Sequence, residues 1–501
     1  MLFRPEADRA PPRDLSFPGP VDDDGGVRMK TLHCAAIDLG ATSGRVIVGA
    51  WNGRRLALTA VHRFSNGFHD LGGHEYWDVP RLWHEIRTGL AEAKRRFPKL
   101  ASVGIDTWGV DFVLTNEQGR VVFPIHAYRD ARTQPGLNRL ARTRAALERI
   151  YAATGIPNVF YNSSLQLAET VASCPAIEDL AARCLMLPDY FNFLLSGRME
   201  NEISAASSTQ LLDVRTGDWS RPVLDHFHLP ATWFTPPIPS GTVLGPVRGF
   251  PALAGVKVIA VAGHDTASAY AAMPAAPDGR DAYISSGTWS LVGFEHDRPL
   301  LGPAALAANI ANERMGDGGF RPLRNVIGLW LLEQTLQDFG ARPANDRAWN
   351  TLIKAAAVLP KPSRLLDVSD PAFGNPPSMR AAIDAHLRRH RAKPPANLAG
   401  YVRLICESLG AGHAAALRSF EELSGQRFRR ILMVGGGARN RLLCQATADA
   451  AGLPLHAYAL EGTAVGNLAI QLIALRAVRD LPAFRALLAG QLPGTVYLPR
   501  S

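Results

Sequence analysis

The 501-residue sequence lacks most features that assign a chain to a class at a glance. Cysteine is scarce. There are five, Cys34, Cys174, Cys184, Cys406 and Cys444, and no CxxC pair occurs. An odd, scattered set excludes a disulfide scaffold and offers no zinc spacing. Several stand in apolar stretches and read as small core residues, which fits a reducing cytoplasm. No apolar run reaches the roughly 18 residues of a membrane-spanning helix. No secretory signal is visible at the start. The net charge is +9, yet the basic residues are spread out without a dense run. That distribution argues against a nucleic-acid surface. Gly-Lys never occurs, so there is no Walker A loop, and HExxH and GxSxG are also missing. Those absences set aside zinc hydrolases and α/β-hydrolases.

What is present describes a large soluble protein. Hydrophobic residues make up 47% and charged residues 20%, enough for a sizeable core. The length allows two or three domains of about 150 residues each. Residues 1–30 are Pro-rich and carry the acidic run Asp22-Asp23-Asp24. We expect them to form a disordered extension, with Met29 as an alternative start.

From Leu32 the chain becomes regular. Leu32 to Leu39 reads as a buried strand, Gly40-Ala41-Thr42-Ser43-Gly44-Arg45 as a tight polar turn, and Val46 to Trp51 as a second strand. Asn52-Gly53 marks a hairpin, and Leu56 to Phe64 a third strand. A helix follows over Val79 to Phe97. A short strand, Val103 to Asp106, leads into Thr107-Trp108-Gly109-Val110-Asp111. Residues 135–200 read as largely helical, and 229–250 as an ordered loop near a boundary. Val256 to Val261 is a buried strand that delivers Gly263-His264-Asp265-Thr266 at its end. The opening pattern then recurs as Ala282 to Phe294, strand, small-residue turn, strand. Helices are expected over 326–357, 398–424, 441–451 and 461–478, and Arg430 to Val434 is a strand ending in Gly435-Gly436-Gly437. The chain reads as two α/β halves, 31–255 and 256–501.

Polarity at a buried strand end is unfavourable unless something is bound or deprotonated there. Asp265 is therefore a general-base candidate; capping of the next helix by Asp265 or Thr266 is the plain alternative. Small-residue turns leave backbone N–H groups free for an anion. Two of them, one per half, suit a polyphosphate. Asp38 precedes the first turn and suits a hydrated Mg²⁺, which takes few carboxylates. The glycine triplet lets backbone approach a flat ring or a phosphate.

Several long motifs are similar to those of the FGGY carbohydrate kinases, members of the actin-like ATPase superfamily. They are Ile37 to Arg45, Gly104 to Leu114, Ala127-Tyr128-Arg129-Asp130, Leu187 to Phe191, His264 to Ala269, Ser285 to Leu291, Ala307 to Ile310, Gly328 to Leu332 and Val434 to Gly437. Together they cover roughly residues 32–480. Within the family they look most like the rhamnulokinase branch. The resemblance implies two ribonuclease-H-like domains flanking a deep cleft, with ATP and Mg²⁺ as cofactors. It implies phosphorylation of L-rhamnulose at the C1 hydroxyl; another ketose such as L-fuculose or L-xylulose is the nearest rival, and a non-catalytic actin-like scaffold the more distant one. It matches Asp265 to the proton acceptor, and His264, Thr266, Gly109 and Asn325 to sugar ligands. Trp108 and Asp111 stand beside these as further sugar-contact candidates. Ala41, Thr42, Ser43, Gly44 and Arg45 match the first phosphate loop, Thr288 the second, and Gly436 the adenosine side. Glu333 stands where that branch tends to carry Gln, and an ionised carboxylate cannot donate a hydrogen bond. A ketose and ATP are the expected partners, with no nucleic acid and no membrane, in a cytoplasmic monomer or dimer.

Overall fold

The computed structural model describes residues 31–458 and 461–500. The expected extension over 1–30 and the Met29 start lie outside the described residues. Two large sheets organise the chain. In the first, the strands run in the order Leu56–Ser65, Ser43–Trp51, Leu32–Leu39, Leu100–Thr107, Lys257–Ala260, Thr242–Pro246. In the second the order is Ala311–Arg314, Phe320–Ile327, Trp289–Phe294, Asp281–Ser286, Arg430–Val434, Leu455–Tyr458, Gly494–Tyr497. Each holds the same unit, an antiparallel meander of three strands whose first member also pairs in parallel with a later strand. This is the repeat read from the two small-residue turns.

Local chemistry explains the elements. Leu32–Leu39 is buried without alternation from Cys34 on, because both faces of the sheet are covered. Gly53 turns the next hairpin at φ 93°, open to glycine at no steric cost. The helix Val79–Arg96 is capped by Asp78, whose side chain accepts from the Arg81 N–H, and ends in Lys94-Arg95-Arg96, favourable to the helix dipole. Its buried Leu82, Ile86, Leu90 and Ala93 recur at helical spacing and lie against the first sheet. Leu398–Ser424 covers the second sheet in the same way, between an Asn397 cap and Gly425 in the left-handed region.

One expectation is corrected. Residues 326–357 do not begin as helix. Phe320–Ile327 is a strand, since its partner Trp289–Phe294 supplies hydrogen bonds up to Ile327, and helices follow at Trp330–Asp338 and Asp346–Ala357. The span 135–200 is largely helical, as expected, and is broken by a short strand, Arg183–Met186, pairing with Phe112–Thr115. Lys257–Ala260 hydrogen-bonds into the first sheet, so that sheet extends past the division expected at 255/256.

The two halves interlock through a pair of helices. Gly462–Ala474 comes late in the chain but packs on the first sheet, with Ala464, Val465 and Leu468 among Cys34, Ala36 and Ile47. It also crosses Asp265–Ala271 so closely that a Cβ at Gly466 would stand 1.7 Å from the Ser268 carbonyl oxygen. Asn467 donates to Asp106 at 2.6 Å, and Gln471 donates to the Ala35 carbonyl at 2.9 Å. These buried polar side chains are satisfied across the seam.

Candidate functional site

Three acidic residues converge at the ends of parallel strands. Asp38 and Asp106 are register partners on adjacent strands. The next strand, Lys257–Ala260, continues until His264 bridges Thr107, and the Thr107 N–H donates to the Gly263 carbonyl at 2.9 Å. Asp265 follows at once as the first residue of its helix. The three carboxylates feel one another. Burial raises Asp38, opposed by the Arg45 charge, and Asp265 adds to the rise. Burial also pushes Asp106 well up, and the Asp38 charge adds to it. Asp265 is the accessible member, with about a third of its side chain exposed.

Helix capping does not account for Asp265. The capping position is His264, with no side-chain bond to the helix. Asp265 instead accepts from the Thr266 hydroxyl at 3.1 Å and lies 3.4 Å from His264 Nε2. Its carboxylate is presented outward.

The first turn is drawn tight by the Gly40 N–H donating to the Ser43 carbonyl at 2.9 Å. Asn66 secures it, donating to the Gly40 carbonyl at 2.8 Å. Thr42 and Ser43 are exposed and Ala41 partly so. Gly44 is glycine for packing, since a Cβ there would stand 2.2 Å from the Phe64 ring. Arg45 does not reach outward freely. It clasps Asp38 at 2.7 Å and Glu461 at 2.7 Å.

The second turn, at Gly287 and Thr288, is built alike. Gly328 and Trp330 donate to the Thr288 carbonyl at 3.1 and 3.2 Å, leaving Thr288 exposed. The glycine triplet abuts this turn. A Cβ at Gly435, where φ is 85°, would stand 2.5 Å from the Ser286 carbonyl oxygen, and one at Gly437 2.1 Å from Ser286 Oγ. Gly436 has nothing nearer than Leu329 at 3.6 Å and is exposed. Glu333 is exposed on the helix that starts at Trp330.

The wall beside Asp265 comes from the first half. A Cβ at Gly109 would lie 3.0 Å from His264 Nε2, so glycine gives that edge of the ring its room. Val110 sits at φ 68°, an outlier for a β-branched residue. Its carbonyl accepts from Ser163 at 2.5 Å and its N–H donates to Ser208 at 3.2 Å, which hold the strained peptide. Asp111 is buried with its acceptors taken by Trp77 at 2.6 Å, Trp108 at 2.8 Å, Gln166 at 3.2 Å and the Tyr128 N–H at 3.3 Å. Burial brings its carboxyl up to about 6. Trp108 packs against Trp77 at a tilt of 35°, with ring centres 4.1 Å apart. The polar atoms of Trp108 and Asp111 are thus spent inside the wall. Asn325 is exposed and donates to the Tyr161 hydroxyl at 2.8 Å, reaching from the second half to the first.

Sequence reasoning missed several supports. Glu202 is fully buried and accepts from the Gly263 N–H at 3.0 Å, Ser204 at 2.6 Å, the Ala205 N–H at 3.1 Å and Ser240. It anchors the backbone one residue before His264. Glu313 and Arg321, a buried pair, reach the other side of His264 at 2.9 and 2.7 Å. Burial would raise Glu313, but the Arg321 charge and then His264 outweigh it and hold the carboxyl down at about 2. A lone buried Glu far from the motif carries no local signal.

Among the described residues no group of three or more His, Cys, Asp or Glu is arranged to hold a metal ion. Mg²⁺ needs less, one or two carboxylates with water completing its shell. Asp38 beside Asp106, whose Oδ1 is buried without a partner, meets that need.

The chain is similar to known proteins over most of its length. A model of the N-terminal domain of the FGGY family of carbohydrate kinases matches residues 33–271, and a model of its C-terminal domain matches 282–475. Rhamnulokinases of two Klebsiella pneumoniae strains are each 40% identical over 474 residues, 94% of this chain and 95% of theirs. A gluconate kinase of Lactobacillus acidophilus superposes with TM-score 0.76 at 15% identity, covering 94% of both chains. A xylulose kinase of Rhodospirillum rubrum does so with TM-score 0.75 at 19% identity, over 93% of this chain and 94% of its own. With both halves matched in order and the relatives covered nearly end to end, the chain belongs to the FGGY family of carbohydrate kinases.

Proposed function

We propose that the chain is an ATP-dependent ketose kinase that phosphorylates L-rhamnulose on its C1 hydroxyl, giving L-rhamnulose 1-phosphate and ADP in the cytoplasm. The observation that carries the choice of sugar is the 40% identity to rhamnulokinases over 94% of the chain. The geometry around Asp265 supports the chemistry.

Phosphoryl transfer asks for positioning and charge neutralisation more than covalent help. Asp265 accepts the proton of the sugar hydroxyl as its oxygen attacks the γ-phosphorus of ATP, and ADP leaves. An outward carboxylate with few internal bonds suits that role. His264, Thr266, Gly109 and Asn325 bind the sugar, while Trp108 and Asp111 stiffen the wall behind it. Backbone N–H groups from Ala41 to Arg45 and at Thr288 receive the phosphates, with Gly436 and Glu333 on the adenosine side. Mg²⁺, held through Asp38, would neutralise phosphate charge beside three carboxylates that otherwise repel it. The interlocked helices keep Asp265 in register with Asp38 and Asp106 while the halves close and exclude water.

A coupled ADP-release assay across L-rhamnulose, L-fuculose, L-xylulose and D-xylulose tests the substrate. We expect kcat/KM highest for L-rhamnulose, with 1-phosphate as product by ³¹P NMR. Preference for another ketose by tenfold would overturn the choice of sugar; no sugar-stimulated ADP release would overturn the kinase reading.

A further inference from the structure

The helix that begins with Asp265 is short, Asp265–Ala271, and its far end is closed by a residue to which no role has been given. The last carbonyls of a helix have no partner within it. Arg485 supplies one. Its Nη2 donates to the Tyr270 carbonyl at 2.7 Å and its Nε to the Ala271 carbonyl at 3.2 Å. The guanidinium is buried, and a buried charge needs a counter-charge. Glu295 provides it, accepting from Nη1 at 2.9 Å and also from Nη2. Every nitrogen of the fork is thereby engaged.

The groups that meet here come from distant parts of the chain. Arg485 lies on Leu481–Ala489, which packs Leu481, Phe484 and Leu488 among Trp51 and Leu56 of the first sheet. Gln491, just past that helix, donates to the Arg54 carbonyl at 2.7 Å. Glu295 directly follows the strand Trp289–Phe294, whose opposite end adjoins Thr288. The helix of Asp265 meets the same strand at Gly293, where a Cβ would stand 2.7 Å from the Tyr270 hydroxyl. We propose that Arg485 is a positioning residue that fixes the spacing between Asp265 and the second phosphate turn at Thr288, by tying together the far ends of the helix and the strand that carry them. A helix this short is marginal without tertiary support, so loss of the tie frays its last turn and lets Asp265 drift against the turn. The planar fork meets two carbonyls and a carboxylate at once, which the single ammonium of Lys does not. Misplacing a reacting group by about 1 Å costs up to about a hundredfold in rate. The role in turnover rests on the ketose-kinase reading; the closure of the helix does not.

The test uses the full-length protein. Arg485→Met leaves the partly buried Glu295 carboxylate without its partner, so the double variant Arg485→Met with Glu295→Met, which removes both charges, is made beside it. Both are expected to lower kcat about tenfold or more. The ketose KM and the Kd of a non-hydrolysable ATP analogue should stay within about twofold, because each ligand keeps its own element and only the spacing changes. Hydrogen exchange gives a readout apart from activity: peptides covering 268–272 should exchange about tenfold faster than in the wild type, with the strand Lys257–Ala260 unchanged. Arg485→Lys should fall between the wild type and the double variant in both readouts. A folded methionine variant that loses stability but keeps kcat within about twofold of wild type would overturn the proposal. Wild-type kcat and exchange in Arg485→Lys would overturn it even if both methionine variants fail to fold. If the wild type phosphorylates no ketose, the kinase reading fails and the role in turnover with it, while exchange over 268–272 still decides whether Arg485 closes the helix.

Discussion

Replacing Asp265 by Asn removes the base and little else. The carboxylate accepts from the Thr266 hydroxyl at 3.1 Å and lies 3.4 Å from His264 Nε2, and an amide oxygen can accept at the same place. The helix loses no cap, because His264 holds the capping position. Stability should therefore change little, by about 1 kcal/mol or less, since the weakened contact to His264 is offset by relief of the repulsion with Asp38 and Asp106. Loss of a positioned general base costs about a hundredfold to ten-thousandfold in rate, or roughly 3–5 kcal/mol in the barrier. Sugar binding should survive, since Asn keeps the shape and one acceptor. The substitution also deletes a negative charge that raises both Asp38 and Asp106, so ATP binding should hold or tighten. The assay pairs coupled ADP release with calorimetric titration of the ketose and an ATP analogue, with urea unfolding as the control. Turnover within tenfold of wild type in a folded variant would refute Asp265 as the base. A large loss of sugar affinity with unchanged kcat would make it a binding group instead.

The glycine triplet predicts a contrast. Gly435→Ala places a methyl 2.5 Å from the Ser286 carbonyl at φ 85°, so it should lower stability by about 1–3 kcal/mol and weaken ATP-analogue binding, whereas Gly436→Ala meets nothing nearer than 3.6 Å and should leave the melting temperature unchanged. Asp38→Ala leaves Arg45 paired with Glu461 alone and removes the proposed Mg²⁺ residue; the Mg²⁺ concentration for half-maximal rate should rise severalfold, and an unchanged metal dependence would count against that role. Asp111 gives a pH prediction. Its folded carboxyl is raised by burial from 3.8 to about 6, so the folded state binds the proton more tightly, and its contribution to stability falls as pH rises through that window. The full loss is about 3 kcal/mol, of which about 2 kcal/mol falls between pH 4 and 6. In Asp111→Asn the fall in urea-unfolding free energy over that range should be visibly shallower, and an identical slope would refute the assignment.

How much was legible in the sequence follows from how local each signal is. The runs 32–39, 43–51 and 56–65, with a polar turn and Asn52-Gly53 between them, are consecutive, so the meander was readable from apolar runs and turn residues alone. The same holds for the 281–294 hairpin. The strand Phe320–Ile327 was not readable as one. Its run Phe-Arg-Pro-Leu-Arg-Asn-Val-Ile mixes polarity because it is held by Trp289–Phe294, and a helical pattern begins directly after it. Arg45 looked like a phosphate ligand from its place in the turn, yet it is held by Glu461, more than 400 positions away. Asp111 and Trp108 are sugar-contact candidates from their motif; that the Trp108 indole N–H donates to Asp111, which also accepts from Trp77 and Gln166, is visible only in the tertiary structure.

By itself the sequence determined the two repeated turn-bearing units, the glycines that let backbone close on backbone, and the placing of Asp265 at a strand end. Each is encoded within about ten consecutive residues, where periodicity and turn chemistry act directly on the chain. Only the tertiary structure decided which groups hold that carboxylate in place. Glu202 reaches Gly263 from 61 positions away, Arg321 reaches His264 from 57, and Asn467 reaches Asp106 from 361. Such partners are selected by strand register and by the crossing of helices at Gly466, where separate stretches are brought within hydrogen-bonding distance and water is excluded. No short window of sequence contains that information, because the energy that selects it arises only when the two halves pack.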